Sequence, residues 1–262
     1  MQEIKEQDID MLKQVCKNTD PQAYAIVKRI AAYLHNNKNK SKPTSLYLML
    51  DAAKWTYDEM MKNLNSTAAK SIKKWNEKYV YHMNKSLDPG KTYLPNLGTT
   101  VEQIEHEDLG LIAKLEAYKE WITQVNSGNP WDLKVQKTPK NSKEYLYDPC
   151  SKTSYRRDIW GNVHYGYIGK AVGFADFELH GGAGVAQIPT IWRQSKKGDH
   201  EALKGALKRV LKYYGNPAAI DPPDDKAAVQ VGIDLWAKKS SSLDFATFVG
   251  DIRANKGPLP TK

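Results

Sequence analysis

Residues 101–125 read VEQIEHEDLGLIAKLEAYKEWITQV. Apolar side chains recur in this segment at intervals of three and four residues, and four of them share one helical face: Leu111, Leu115, Tyr118 and Ile122. The Asn-Ser-Gly sequence at 126–128 ends the pattern, because Asn and Gly favour the left-handed conformation that often follows a helix. The segment therefore predicts a long amphipathic helix.

The same spacing predicts helices on both sides of this segment. They are expected within residues 9–35, 46–61, 72–83, 201–214, 225–237 and 243–252. Between them, residues 144–147 and 155–167 are aromatic-rich and predict a short β-hairpin. We therefore predict a mainly α, multi-helical globular fold with a possible short hairpin near 155–167.

A polar, Lys- and Asn-rich linker at residues 36–43 divides the chain. We expect an N-terminal helical region at 1–43, the main domain at 44–254 and a flexible tail at 255–262. With 262 residues, of which 40% are hydrophobic, the chain is long enough to bury a sizeable core.

The chain carries a formal net charge of +9. A positive field of this kind favours an anionic polymer as partner, and both nucleic acid and the bacterial cell wall fit. Lys and Arg are densest at residues 134–157, where they alternate with tyrosines. Lys134 and Arg157 in this stretch are candidates for binding substrate.

No stretch approaches the ~18 consecutive apolar residues of a membrane span, so we expect no such span. The charged N-terminus, MQEIKEQD, does not read as a cleavable secretory signal. Cys16 and Cys150 have no second Cys or His at metal-ligand spacing, so neither a metal site nor another cofactor is expected.

Residues 160–169 read WGNVHYGYIG, and His164 among them can exchange a proton near neutral pH. If Gly161-Asn162 forms a two-residue hairpin turn, His164 pairs with Ile159 and shares a face with Arg157. His164 and Arg157 would then form a site for anionic groups. The alternative is that His164 is an ordinary structural residue.

Glu59 lies on a predicted helix, one turn from both Trp55 and Asn63. If this face turns inward, burial beside Trp55 would raise the pKa of the Glu59 carboxyl, as a general acid requires. Otherwise Glu59 is a solvated residue or pairs with Lys62. Asp132 similarly has three possible roles: capping, bridging to Lys134, or serving as a second carboxylate.

Several separated pieces of the chain resemble the polymorphic toxin type 44 family of bacterial secreted effectors. They are 58–63 (DEMMKN), 129–134 (NPWDLK), 161–166 (GNVHYG), 183–187 (AGVAQ) and, more weakly, 221–225 (DPPDD). Asn162, Tyr165 and Gln187 in these pieces are further candidates for substrate binding. The chain departs from the family pattern in a longer Lys- and Tyr-rich insert and in starting without a delivery domain.

The resemblance implies an antibacterial toxin that is delivered by a secretion apparatus or carrier and neutralised by a cognate immunity protein. Residues 44–254 would then be the catalytic domain, and the protein would leave without a cleavable signal and act in the target bacterium. We predict a peptidoglycan hydrolase acting in the periplasm, with Glu59, His164 and Asp132 as catalytic residues. An RNase acting in the target cytoplasm and a non-enzymatic helical binding protein are the alternatives.

Overall fold

The computed structural model describes residues 49–86, 101–133, 145–148, 151, 153–180 and 223–261. Seven α-helices lie in these ranges: α1 (Met49–Leu64), α2 (Thr67–Ser86), α3 (Val101–Val125), α4 (Ile159–Ala171), α5 (Asp176–His180), α6 (Pro223–Lys239) and α7 (Phe245–Ala254). The described part of the chain also contains strands β1 (Tyr145–Asp148) and β2 (Thr153–Arg156) and a short 3-10 helix, Ser240–Ser242. The predicted mainly α fold with one small hairpin is confirmed. The helices predicted within 9–35 and 201–214 fall outside the described residues.

Helices α2 and α3 form an antiparallel pair. At one end His82 contacts His106 through their Nδ1 atoms at 3.0 Å, and at the other Ser71 donates to Glu120 at 2.9 Å. The buried Ile72 and Leu115 belong to the core that these helices share with α4. None of the helices in the described ranges has both the length and the apolar character to cross a membrane.

Helix α4 is the central element, with side chains buried around its whole circumference. It runs in the same direction as α6, because Arg156 just before α4 bridges to Asp225 near the start of α6, whereas Tyr167 packs against Trp236 near the end of α6. Glycines allow this close approach. A Cβ on Gly166 would lie well under 3.0 Å from the carbonyl oxygen of Val229 in α6.

The first strand of the hairpin coincides with the aromatic-rich residues 144–147, and its second strand ends near the start of the stretch 155–167. Strand β1 pairs antiparallel with β2, with Tyr145 opposite Arg156 and Asp148 opposite Thr153. The predicted turn at Gly161-Asn162 is wrong, because residues 159–171 form α4. The predicted pairing of His164 with Ile159, and hence the shared face with Arg157, is wrong for the same reason.

The last residues of the chain pack against the hairpin rather than forming the predicted flexible tail. The backbone N–H of Arg156 donates to the carbonyl of Pro260 at 2.9 Å, and Tyr155 forms an isolated bridge with Thr261. Leu259 is buried in the core. The apolar surface of Leu259 and these backbone bonds hold residues 255–261 in place.

Candidate functional site

His164 lies where α4 packs against α1. Its Nε2 atom is 3.0 Å from Nδ2 of Asn63, and only 1% of the residue is exposed. The Trp131 ring packs edge-on against the imidazole, with ring centroids 6.4 Å apart. The structure therefore brings three of the resembling pieces together at one place: the α1 piece, the NPWDLK piece and the α4 piece.

The contact with Asn63 determines which nitrogen of His164 carries the hydrogen. Because the amide Nδ2 of Asn63 only donates, Nε2 of His164 accepts and Nδ1 bears the hydrogen. That Nδ1 is buried without a hydrogen-bond partner in the described structure. Burial lowers the pKa of His164 from 6.5 to about 3, so the ring is neutral at physiological pH.

We expect His164 to make stability depend on pH between 6.5 and about 3. In this range the unfolded chain binds a proton that folded His164 does not, so the free energy of unfolding falls as the pH falls. The stabilisation is complete above pH 6.5 and decreases by roughly 2 to 3 kcal/mol by pH 4.5. Urea unfolding at pH 7 and 4.5 measures this difference in stability.

His164→Gln is the matched variant, because a Gln oxygen still accepts from Asn63 but does not titrate. We expect the loss of stability between pH 7 and 4.5 to be smaller in this variant by about 2 kcal/mol or more. Equal losses in wild type and His164→Gln would show that burial does not hold His164 neutral.

Glu59 lies on α1 one turn before Asn63, at the edge of the buried face. Its side chain is 15% exposed, and Nζ of Lys62, itself 71% exposed, lies 3.1 Å from its carboxylate. An ion pair with so exposed a partner is weak, because water and salt screen it. Glu59 is therefore a largely covered carboxylate with one loosely held partner.

Two other covered carboxylates in the described part of the chain contrast with Glu59. Asp148 accepts from Nε and Nη2 of Arg253 at 2.8 and 3.0 Å. Glu178 accepts from Nζ of Lys114 at 2.9 Å, from the backbone N–H of Ala175 at 2.7 Å and from the Tyr118 hydroxyl. Largely covered donors thus satisfy these two carboxylates, which suits structural roles.

Asp132 follows Trp131 in the turn after α3. Its Oδ2 accepts from the backbone N–H of Gly128 at 2.9 Å, so it closes this turn. The preceding residue, Trp131, contacts His164. Asp132 is therefore next in sequence to a residue that packs at the α1–α4 contact.

The predicted binding residues that the structure describes, Arg157, Asn162 and Tyr165, lie on α4 or just before it. Asn162 is buried on a different face of α4 from His164, since residues two apart on a helix do not face the same way. Tyr165 packs edge-on against Trp121 of α3, with ring centroids 5.1 Å apart. Arg157 is half-buried between β2 and α4. Lys134 and Gln187 lie outside the described residues.

A buried polar network that the sequence analysis missed lies between α2, α3 and α5. Nζ of Lys114 donates to Asn76 at 2.8 Å and to Glu178 at 2.9 Å. It also lies over the rings of Tyr79, Tyr118 and Phe174 at 4.8 to 5.2 Å. Burial lowers the pKa of Lys114, and the Glu178 carboxylate opposes this shift. The network has nearly all its polar groups satisfied and holds α5 against α3.

Comparison with known proteins identifies the segment that contains α4, α5 and α6. Residues 120–238 match the Ntox44 family, bacterial toxin 44. This segment is a bacterial toxin 44 domain. No curated protein and no solved structure matches the chain. His164 and Asp132 lie within the toxin 44 domain, whereas Glu59 and Asn63 precede the matched residues.

Residues 120–238 of this chain are therefore a bacterial polymorphic toxin domain. Such toxins typically have an immunity protein as partner and are delivered to target cells. No group of three or more His, Cys, Asp or Glu side chains in the described residues is arranged to hold a metal ion.

Proposed function

We propose that the toxin 44 domain and the preceding helices form a peptidoglycan glycan hydrolase, with Glu59 as its general acid. The observation that carries the proposal is the state of Glu59: the side chain is 15% exposed and its one observed partner is the exposed Lys62. A general acid must be sheltered yet free to exchange its proton with substrate. Glu59 meets this requirement better than Asp148 or Glu178, whose oxygens accept hydrogen bonds from Arg253 and Lys114.

In the proposed reaction, protonated Glu59 gives its proton to the glycosidic oxygen as the bond to the anomeric carbon breaks. A second carboxylate must then act on a water or on the sugar itself. Asp132 is the candidate for this role, because Trp131 beside it packs at the α1–α4 contact. His164 would act indirectly, since its bond to Asn63 fixes the part of α1 that carries Glu59.

The buried, neutral state of His164 favours a glycan over RNA as the substrate. Metal-independent RNA cleavage needs a base for the 2′-hydroxyl, and a histidine fills that role when its ring exchanges a proton near neutral pH. A buried neutral histidine with a pKa of about 3 is poorly suited to that role. The net charge of +9 suits the anionic groups of the cell wall as well as it suits RNA.

Purified protein should release soluble fragments from isolated sacculi, and Glu59→Gln should lower the rate by about 10²-fold or more. The matched control is Glu77→Gln, because Glu77 lies on α2 with a 66% exposed side chain. This control should keep full activity, and both variants should unfold at similar urea concentrations. Full activity of Glu59→Gln would exclude Glu59 as the acid.

Expression in two compartments separates the alternatives. A peptidoglycan hydrolase should be toxic when targeted to the periplasm and harmless in the cytoplasm, and a cognate immunity protein should suppress the toxicity. Cytoplasmic toxicity with degraded RNA and intact sacculi would instead support the RNase. A binding protein without enzymatic activity should be harmless in both compartments.

A further inference from the structure

Two half-buried histidines face each other across the contact between α2 and α3. Nδ1 of His82 lies 3.0 Å from Nδ1 of His106, and the two ring centroids are 5.2 Å apart. Only one hydrogen fits between two nitrogens at this distance, so one ring donates and the other accepts, unless a metal ion takes the place of that hydrogen. The contact is therefore either a hydrogen bond or part of a metal site.

Close packing of the two helices brings these imidazoles together. Gly110 follows His106 by one turn of α3, and a Cβ at this glycine would lie 3.4 Å from Cβ of His82 and 3.1 Å from Sδ of Met83. In the zinc-binding motif His-Glu-x-x-His the two histidines lie on one helix, and here Gly110 stands where the second histidine would be. Helix α2 supplies the second imidazole instead. The sequence does not reveal this pair, because its members lie 24 residues apart on different helices.

The spacing of the rings fits a tetrahedral metal ion. Imidazole nitrogens bind zinc at about 2.0–2.1 Å, so two of them on one tetrahedral ion lie about 3.3 Å apart, with ring centres about 5 Å apart. The observed separations are 3.0 Å between the nitrogens and 5.2 Å between the ring centroids. Moving the nitrogens apart by about 0.3 Å would therefore admit the ion.

The surroundings of the pair leave room for an ion. The ring of Tyr81 packs edge-on against both imidazoles, with centroid distances of 5.2 Å to His82 and 6.5 Å to His106, and Tyr81 is itself 56% exposed. Lys78 lies one turn before His82, but its Nζ is 4.4 Å from the centroid of the Trp75 ring, on the preceding turn of α2. Its ammonium group is thus directed away from the two Nδ1 atoms.

We propose that His82 and His106 together bind a first-row divalent transition metal ion, best fitted by Zn²⁺, through their two Nδ1 atoms. Imidazole suits zinc, copper and nickel, whereas magnesium and calcium prefer oxygen ligands. Water completes the coordination, because no group of three or more metal-ligating side chains occurs in the described part of the chain. The ion clamps α2 to α3 at the end of the pair opposite Ser71 and Glu120. This clamp is independent of the proposed hydrolase activity.

Zinc titration of the metal-free full chain at pH 7 tests the clamp. Calorimetry should show saturable binding, and zinc at ten times the dissociation constant should raise the melting temperature by about 3 to 6 °C. His82→Gln and His106→Gln should each lose most of this shift, because Gln can hydrogen-bond to the remaining imidazole but is a poor ligand for zinc. Without metal, both variants should melt near the wild-type temperature, since the pair is only half-buried.

His180→Gln is the matched control. Nε2 of His180 lies 2.7 Å from Oε1 of Gln230 between α5 and α6, so this variant removes a histidine while leaving the α2–α3 pair intact. It should keep the full zinc-dependent rise in melting temperature. Magnesium should give no rise in any of these proteins.

Nuclear magnetic resonance of the imidazole nitrogens distinguishes the ion from a hydrogen bond. With zinc bound, Nδ1 of both rings should shift and both rings should carry their hydrogen on Nε2, whereas a hydrogen bond requires the hydrogen of one ring on Nδ1. A melting temperature that zinc, copper and nickel leave unchanged would overturn the proposal, as would a rise that His82→Gln and His106→Gln retain. If zinc left the Nδ1 signals of His82 and His106 unaltered, the contact would be a hydrogen bond alone.

Discussion

Gly166→Ala should lower the free energy of unfolding by about 3 kcal/mol. The new Cβ would overlap the carbonyl oxygen of Val229 and lie 3.2 Å from the backbone nitrogen of Ile233. Backbone atoms in a packed helix cannot rotate aside as a side chain can, so α4 and α6 must separate. The separation would loosen the packing of Tyr167 against Trp236. Urea unfolding followed by circular dichroism measures the loss.

The control is Gly250→Ala on α7. A Cβ there would meet nothing within 4 Å, and the residue is exposed. Because Ala favours a helix over Gly by about 1 kcal/mol, this variant should be as stable as wild type or more so. If Gly166→Ala were equally harmless, the close contact of α4 and α6 would not exist in solution.

Gly232→Ala provides an independent measure of the same contact. Its Cβ would lie 2.7 Å from the backbone nitrogen of Tyr167 and would overlap the carbonyl oxygen of Val163. Both substitutions force the same separation of helices, so their effects should not add. We expect the double variant to lose about 1 kcal/mol less than the sum of the single losses.

The amphipathic helices could be predicted from sequence, but α4 could not. Helices α2 and α3 each keep an exposed face, so their apolar residues repeat with helical spacing. Helix α4 is buried all round and shows no such contrast. The role of Gly166 depends on its contact with Val229, which is distant in the chain. A contact between residues so far apart in the chain forms only in the folded protein, so the local sequence does not reveal it.

The candidate site shows the same division. The helical spacing of Glu59 and Asn63 correctly placed them one turn apart, and Asn63 does meet His164. The partner of His180 could not be anticipated, because Gln230 is 50 residues away and no short motif links them. Polar networks of this kind are assembled by packing, after the helices have formed.

Lys114→Met should be among the most destabilising substitutions outside the contact of α4 and α6. Methionine fills much of the space of the lysine stem but leaves the Glu178 carboxylate buried without its cation and Asn76 Oδ1 without its donor. Removing one partner of a buried ion pair typically costs about 3 to 5 kcal/mol. We expect a loss of this size in the free energy of unfolding, measured in urea at pH 7.

A double-mutant cycle separates the ion pair from packing. Glu178→Gln keeps an oxygen that can accept from Tyr118, and it removes the unpaired charge in the Lys114→Met background. The double variant should therefore be about 1 to 3 kcal/mol more stable than Lys114→Met alone. If Glu178→Gln brought no such recovery, the cost of Lys114→Met would come from the lost contacts with Phe174 and Tyr79. Recovery of stability would instead establish that the positive charge of Lys114 is needed in the core to pair with the Glu178 carboxylate. Glu178 in turn anchors the short helix α5.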